Sequence, residues 1–223
     1  YSGMVTDGVS ALNASITQAG VLYFESVGGV WDPGPGPLLY VEVSGDFVAT
    51  VKVADYAGTA DAYVYYNNCG LMARALPADG GDGEDWIAID YFPLYGVGNI
   101  VRYADDGVRY EDVGGNGAAF NADTYLQIER VGNTFYLRTS PDGENWVDYP
   151  DAGFSPLERP DLDGVPVQVG LAQCTYTANV GYAAFDDFSI VTPGPKVVWV
   201  SARHPSSADA NVPQCVTTAE VSR

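Results

Sequence analysis

The densest chemistry in the sequence is anionic. The run Asp79-Gly80-Gly81-Asp82-Gly83-Glu84-Asp85 sets four carboxylates within seven residues, and its glycines let the chain curve tightly. Ca²⁺ takes six to eight oxygen ligands, so Asp79, Asp82, Glu84 and Asp85 are candidate ligands, although the spacing is not that of an EF-hand. A solvated hairpin loop is the other reading of the same residues. Nucleophilic chemistry has little to work with. His204 is the single imidazole, and no Gly-x-Ser-x-Gly elbow is present, so a serine or cysteine triad is not expected. Three cysteines allow one bridge and leave one over. Cys69 and Cys174 both lie in runs that read as core strands, which makes Cys69–Cys174 the preferred disulfide. Cys215 is then spare, for an intermolecular bond or as a thiol. Asn13-Ala14-Ser15 fits the glycosylation acceptor pattern at Asn13.

The elements that position these groups are strands. Apolar residues alternate, and Gly or Pro interrupts them every 8–15 residues, with no helical period of useful length. Strands are expected at 21–26, 38–43, 47–54, 62–66, 70–76, 86–91, 100–103, 125–131, 134–140, 165–175 and 183–191. Gly132-Asn133 predicts a tight hairpin, because both residues accept positive φ. Ser140-Pro141-Asp142-Gly143-Glu144-Asn145-Trp146 predicts a second turn, with Asp142 capping it in a structural role. So many short strands without helices predict an all-β, two-sheet antiparallel jelly-roll sandwich.

Length and charge bound the function. The chain has 223 residues and a net charge of −19, from 10 basic and 29 acidic side chains. One large domain is expected, over residues 1–191, followed by a tail at 192–223. The charge opposes nucleic-acid binding and anionic membrane surfaces, and no apolar run is long enough to span a bilayer. Cations, neutral sugars or further copies of the chain remain as partners. Tyr1 in place of an initial Met, only two lysines and Asp-Gly-rich loops point to a processed extracellular or cell-surface protein.

The tail opens with Thr192-Pro193-Gly194-Pro195 and then runs Val197-Val198-Trp199-Val200 before a polar stretch from Ser201. An extended apolar stretch left in water forgoes roughly 1.5–3 kcal/mol per side chain and invites edge pairing. A docking strand is therefore expected over 196–201, either on its own sandwich or on a neighbouring subunit. In the second case, head-to-tail donation through Val197, Val198, Trp199, Val200 and Cys215 builds a homo-oligomer or polymer.

An ordered series of motifs is familiar: Gly45-Asp46-Phe47-Val48-Ala49-Thr50-Val51, Cys69-Gly70-Leu71-Met72-Ala73-Arg74, Asp85-Trp86-Ile87, the stretch from Leu126 to Asn133, Ser140 to Trp146, Val169-Gly170-Leu171 and Phe185-Asp186-Asp187-Phe188. Over residues 20–191 the chain resembles the concanavalin A-like lectin and glucanase jelly rolls, nearest to bacterial domains related to the C-terminal sandwich of β-xylosidases. That superfold hosts lectins, glycosidases and structural modules. The resemblance implies a structural Ca²⁺ near the terminal strand, with Asp186 or Asp187 as ligand, since adjacent strand residues face opposite sides. It also implies a concave sheet on which Tyr65, Trp86, Tyr91, Tyr95 and Tyr103 stack against glycans. Its catalytic members carry Glu-x-Asp-x-x-Glu on one strand, and retaining hydrolysis needs two carboxyl groups about 5–5.5 Å apart. Here Trp86-Ile87-Ala88-Ile89-Asp90-Tyr91 carries only Asp90. The expectation is a non-enzymatic extracellular structural subunit that self-assembles through its tail with Ca²⁺ in acidic loops. A secreted carbohydrate-binding module is the alternative, and a glycoside hydrolase the minor one.

Overall fold

Period-two alternation gives each strand two faces, and two sheets that pair one face each make a core. The computed structural model describes residues 5–7, 11–18, 21–27, 38–58, 67–75, 85–92, 97–112, 114–175 and 181–193. Its strands are β1 (Val5–Asp7), β2 (Ala11–Gln18), β3 (Val21–Val27), β4 (Leu38–Val43), β5 (Phe47–Gly58), β6 (Asn67–Ala75), β7 (Asp85–Phe92), β8 (Gly98–Asp105), β9 (Val108–Glu111), β10 (Tyr125–Val131), β11 (Thr134–Ser140), β12 (Val147–Asp148), β13 (Leu157–Glu158), β14 (Val167–Thr175) and β15 (Gly181–Val191). Among the described residues there is no α-helix, only a 3₁₀ turn at Pro160–Leu162.

The strands form two antiparallel sheets. One has seven strands in the order β1-β4-β14-β6-β7-β8-β9. The other runs β12-β11-β10-β5-β15-β3-β2, with β13 paired to β11. This is the two-sheet jelly-roll sandwich expected from the alternation. Between the sheets, Leu71, Ile87, Ile89, Val101 and Leu171 meet Val51, Leu126, Ile128, Phe135 and Phe185, all fully buried. Each such side chain contributes roughly 1.5–3 kcal/mol on leaving water.

The turns follow their residues. Val131 pairs with Thr134, so Gly132-Asn133 is a two-residue hairpin loop. Gly132 sits at φ +62°, the glycine position of a type II′ turn. Asp142 Oδ1 accepts the backbone N–H groups of Glu144 and Asn145, at 2.9 and 2.8 Å, and its Oδ2 accepts Asn145 Nδ2. Those bonds hold its carboxyl well below the usual range, the Asn145 backbone N–H contributing most. The residue serves the turn, as expected.

The expected strand at 62–66 lies outside the described residues, as does the whole tail from residue 194. Five strands were not expected: β1, β2, β9, β12 and β13. All five sit at a sheet edge or are two residues long, where few apolar positions are needed.

Candidate functional site

The outer face of the seven-stranded sheet, turned away from the core, carries the most unusual chemistry in the molecule. Directly paired residues share a face. The registers therefore put Asn68, Gly70, Met72 and Arg74 of β6 on this face, with Trp86, Ala88 and Asp90 of β7, Arg102 and Ala104 of β8, and Gln168, Ala172 and Cys174 of β14. Two small residues make room. A Cβ on Gly170 would stand 2.0 Å from the Leu39 carbonyl oxygen, and one on Gly70 would stand 2.1 Å from that of Ile89. Neighbouring backbones thus approach more closely at both positions than any other residue permits.

A polar cluster occupies one end of the face. Arg102 Nη2 donates to Asp90 Oδ2 at 2.6 Å and to Asn68 Oδ1 at 2.6 Å, while its Nε reaches Asp90 Oδ2 at 3.2 Å. Cys174 Sγ donates to the same Asn68 oxygen at 2.5 Å. Arg102 and Asn68 are 0% exposed, and Asp90 and Cys174 1%. Burial pushes the Asp90 carboxyl up, and the Arg102 guanidinium pulls it back. Two polar atoms in this cluster have no partner: the donor Asn68 Nδ2 and the acceptor Asp90 Oδ1. Leaving such a buried group unsatisfied costs about 1–3 kcal/mol, so the pair calls for an explanation.

The other end is apolar and aromatic. Trp86, Met72, Leu38, Ala88, Ala104 and Ala172 form a cluster with Tyr40 beside it. Arg74 bounds it, donating from Nε and Nη2 to Gln168 Oε1 at 3.0 and 2.9 Å. Trp86 and Asp90 are four residues apart on one face, about 13 Å along the strand. Glu111 of β9 pairs with Arg102 and so shares the face. The arrangement sets an indole, a donor and an acceptor on one face, all of them buried, a set whose chemistry matches a ligand rich in hydroxyl groups, which can both donate and accept.

The aromatic platform expected from the sequence is not formed by the described rings. Trp86 lies on the outer face, but Tyr91, five residues on, points into the core, where its ring meets those of Tyr56 at 5.1 Å and Phe120 at 5.3 Å. Burial pushes the Tyr91 phenol up. Tyr103 also packs toward the core and stacks on Tyr110 at 4.7 Å and 14°. An odd separation along a strand puts side chains on opposite faces, which is the reason. Tyr65 and Tyr95 lie outside the described residues.

The expected disulfide is absent. Cys69 pairs across the ladder with Gln173, and Cys174 with Asn68, so Cys69 enters the core while Cys174 lies on the outer face. Both are thiols, and burial pushes that of Cys69 well up. Cys215, Val197, Val198, Trp199 and Val200 lie outside the described residues. Asn13 falls within β2, the edge strand of the second sheet, rather than in a loop.

Of the acidic residues singled out, Asp79, Asp82 and Glu84 lie outside the described residues. Asp85 Oδ1 accepts Arg159 Nη2 at 2.8 Å and the Asp106 backbone N–H at 2.9 Å. The same Arg159 nitrogen is 2.6 Å from Asp161 Oδ2 and 3.8 Å from Asp105 Oδ1. Asp85, Asp105 and Asp161 form the one group of three metal-ligand types among the described residues. A guanidinium already supplies the positive charge there, so these acids fit Arg159 better than Ca²⁺. In β15, Asp187 takes φ +52° within a register shift, and Tyr125 Oη donates to its Oδ2 at 3.2 Å. Asp186 Oδ1 accepts the backbone N–H of Asp187.

Asn68, Arg102, Arg74 and Gln168 were not foreseen. The signal for them was a single polar residue set into an otherwise apolar strand, as in Ile100-Val101-Arg102-Tyr103-Ala104.

No protein-family model matches the chain, and no curated protein does. Likeness appears among solved structures. A functionally unknown protein from Saccharomyces cerevisiae matches with TM-score 0.59 and 17% identity, over 86% of this chain and 97% of that one. A xylan β-1,4-xylosidase from Bacillus halodurans matches at TM-score 0.48 and 12% identity, over 81% of this chain and 38% of that one. A lectin from Bauhinia forficata, solved with GalNAc, matches at 0.46 and 10%, over 86% and 94%. The fold is a two-sheet antiparallel jelly-roll sandwich. Identities this low speak of the fold alone.

Proposed function

We propose that the chain is a non-catalytic glycan-binding module of an extracellular protein, with its ligand site on the outer face of the seven-stranded sheet. The observation that carries this reading is the unpartnered pair Asn68 Nδ2 and Asp90 Oδ1, buried on the same face as Trp86. One sugar hydroxyl accepts from the amide and donates to the carboxylate, and a ring of the same saccharide stacks on the indole. The separation of the two features exceeds a single pyranose ring, which favours an oligosaccharide. A neutral one is favoured, because Asp90 neutralises Arg102 and the net charge of −19 repels anions.

The non-catalytic part rests on the surroundings of Asp90. Among the described residues its cross-strand neighbours are Gly70 and Ile100, the carboxylate of Glu111 on the same face belongs to β9, two strands away, and Arg102 holds its Oδ2 through two donors. Glycosidic hydrolysis needs a carboxyl pair across the scissile bond. Affinity electrophoresis through gels containing neutral polysaccharides, with a glycan array alongside, tests the proposal. A retarded chain that loses retardation in Trp86→Ala supports it. Failure to bind any saccharide removes it.

A further inference from the structure

The outer face carries a further atom without a hydrogen-bond partner. Glu111 of β9 stands directly opposite Arg102 of β8, which stands opposite Ala88 of β7. A carboxylate and a guanidinium so placed ordinarily form a cross-strand ion pair. Here the guanidinium is turned the other way, and its Nη2 donates to Asp90 on β7 and to Asn68 on β6. Glu111 Oε2 is left buried with no hydrogen bond. Arg109 Nε lies 3.8 Å from it, beyond hydrogen-bond range.

This oxygen is turned inward although its residue reaches the surface. Asn68, Asp90 and Arg102 are closed to water, whereas the side chains of Glu111 and Arg109 are 26% and 37% exposed. Among the described residues, this part of the face therefore meets water along β9.

The features that suit a ligand do not lie on one line. Trp86 and Asp90 flank Ala88 on β7, each two residues from it. Glu111 lies two strands across from Ala88, about 10 Å away at about 4.8 Å per strand. A sugar chain running along β7, from the indole to the Asp90 pair, passes Ala88 at its middle. Only a group projecting sideways from that middle reaches Glu111. Ala88 and Ala104 present no more than methyl groups beside its path.

We infer that Glu111 is a third contact of the saccharide site and that the ligand is a branched neutral oligosaccharide, with its main chain along β7 and a branch hydroxyl donating to Glu111 Oε2. This rests on the glycan reading above. An ionised carboxylate accepts and does not donate, so it selects a branch with a free hydroxyl and repels an acidic one. Its hydrogen bond is charge-assisted and stronger than a neutral one.

The test is calorimetric titration of the full chain with two matched pairs of oligosaccharides: linear and galactose-branched mannan, and linear and xylose-branched glucan. The parent is compared with Glu111→Ala, Glu111→Gln and Trp86→Ala, with melting as a check of the fold. The parent is expected to bind the branched member of at least one pair about tenfold more tightly than the linear member. Glu111→Ala is expected to bring the branched member down to the linear level, with Glu111→Gln between. Trp86→Ala is expected to weaken both members alike. A parent that binds saccharide without preferring the branch overturns the inference and leaves the glycan reading standing. A preference that survives Glu111→Ala does the same. A parent that binds no saccharide, in these pairs or on an array, removes the glycan reading and this inference with it. Branched binding lost in Glu111→Ala but untouched in Trp86→Ala puts the ligand on the β9 edge alone and overturns the main-chain path along β7. Release of reducing ends, lost in Glu111→Gln, makes Glu111 a hydrolytic group and overturns its role as a binding contact.

Discussion

The two faces of the seven-stranded sheet share one backbone and one degree of burial but not one chemistry. On the inner face, Leu71, Ile87, Ile89, Val101, Val169 and Leu171 are fully buried against the second sheet. On the outer face, equally buried positions hold Ala88, Ala104 and Ala172, an Arg102–Asp90 ion pair, and an amide and a carboxylate each with an unpartnered atom. The inner face gains from every side chain it hides. The outer face takes on the desolvation of charges that their mutual attraction only offsets. A sheet that needed stability alone would have apolar side chains on both sides, and the chain builds such a face from the alternate residues of the same strands. Burial here therefore has two outcomes: an apolar core on one side, and on the other a polar cluster that retains two orphan atoms.

The comparison is sharpest at the ion pair. Arg102→Ala strands Asp90 in a buried site and is expected to cost about 3–5 kcal/mol in denaturant unfolding. The double variant Asp90→Leu, Arg102→Met removes both charges and is expected to remain within about 1 kcal/mol of the parent. A double variant as damaged as the single one would make the pair a pillar of the fold. Consecutive residues then compare the faces directly. Leu71→Ala is expected to cost about 2–5 kcal/mol by opening the core. Met72→Ala, on the outer face among Ala88, Ala104 and Ala172, is expected to cost less than Leu71→Ala by at least about 1 kcal/mol. Equal losses would mean that the outer face packs as tightly as the core. Gly170→Ala drives a Cβ toward the Leu39 carbonyl and is expected to cost about 1–3 kcal/mol. The smallest effect lies off both faces. The Asp142 carboxyl is held low by its turn, so its contribution is present above the ordinary carboxylate range and lost as pH falls through the lowered value. Melting temperatures from pH 5 to pH 2 should fall less steeply in Asp142→Asn than in the parent.

Much of the sandwich was legible, and the reasons can be named. Strands with one wet face, such as β10 and β11, alternate cleanly, and Gly132-Asn133 between them is a turn by its own chemistry. The expected and observed limits of both strands coincide. β6 and β7 are buried on both faces, so Gly70-Leu71-Met72-Ala73 and Trp86-Ile87-Ala88-Ile89 read as continuous apolar runs without an inside and an outside. That loss of phase is why Trp86 and Tyr91 were grouped on one platform and why Cys69 was paired with Cys174. The cluster itself escaped notice because its members come from β6, β7, β8 and β14. Asn68 and Cys174 are 106 residues apart in sequence and meet only through the register of the sheet. Conspicuous acids drew attention instead, and Asp85, the one member of the 79–85 run that is described, turns out to be bound to Arg159.

The central claim is that the outer face recognises a saccharide and that its ion pair is there for recognition. The most direct measurement is calorimetric titration of a bound oligosaccharide into the chain, with and without Asp90→Leu, Arg102→Met. The account predicts that the double variant keeps the parent melting temperature to within a few degrees and loses affinity at least about tenfold. Unchanged affinity in a folded double variant would contradict it and move the ligand off this face.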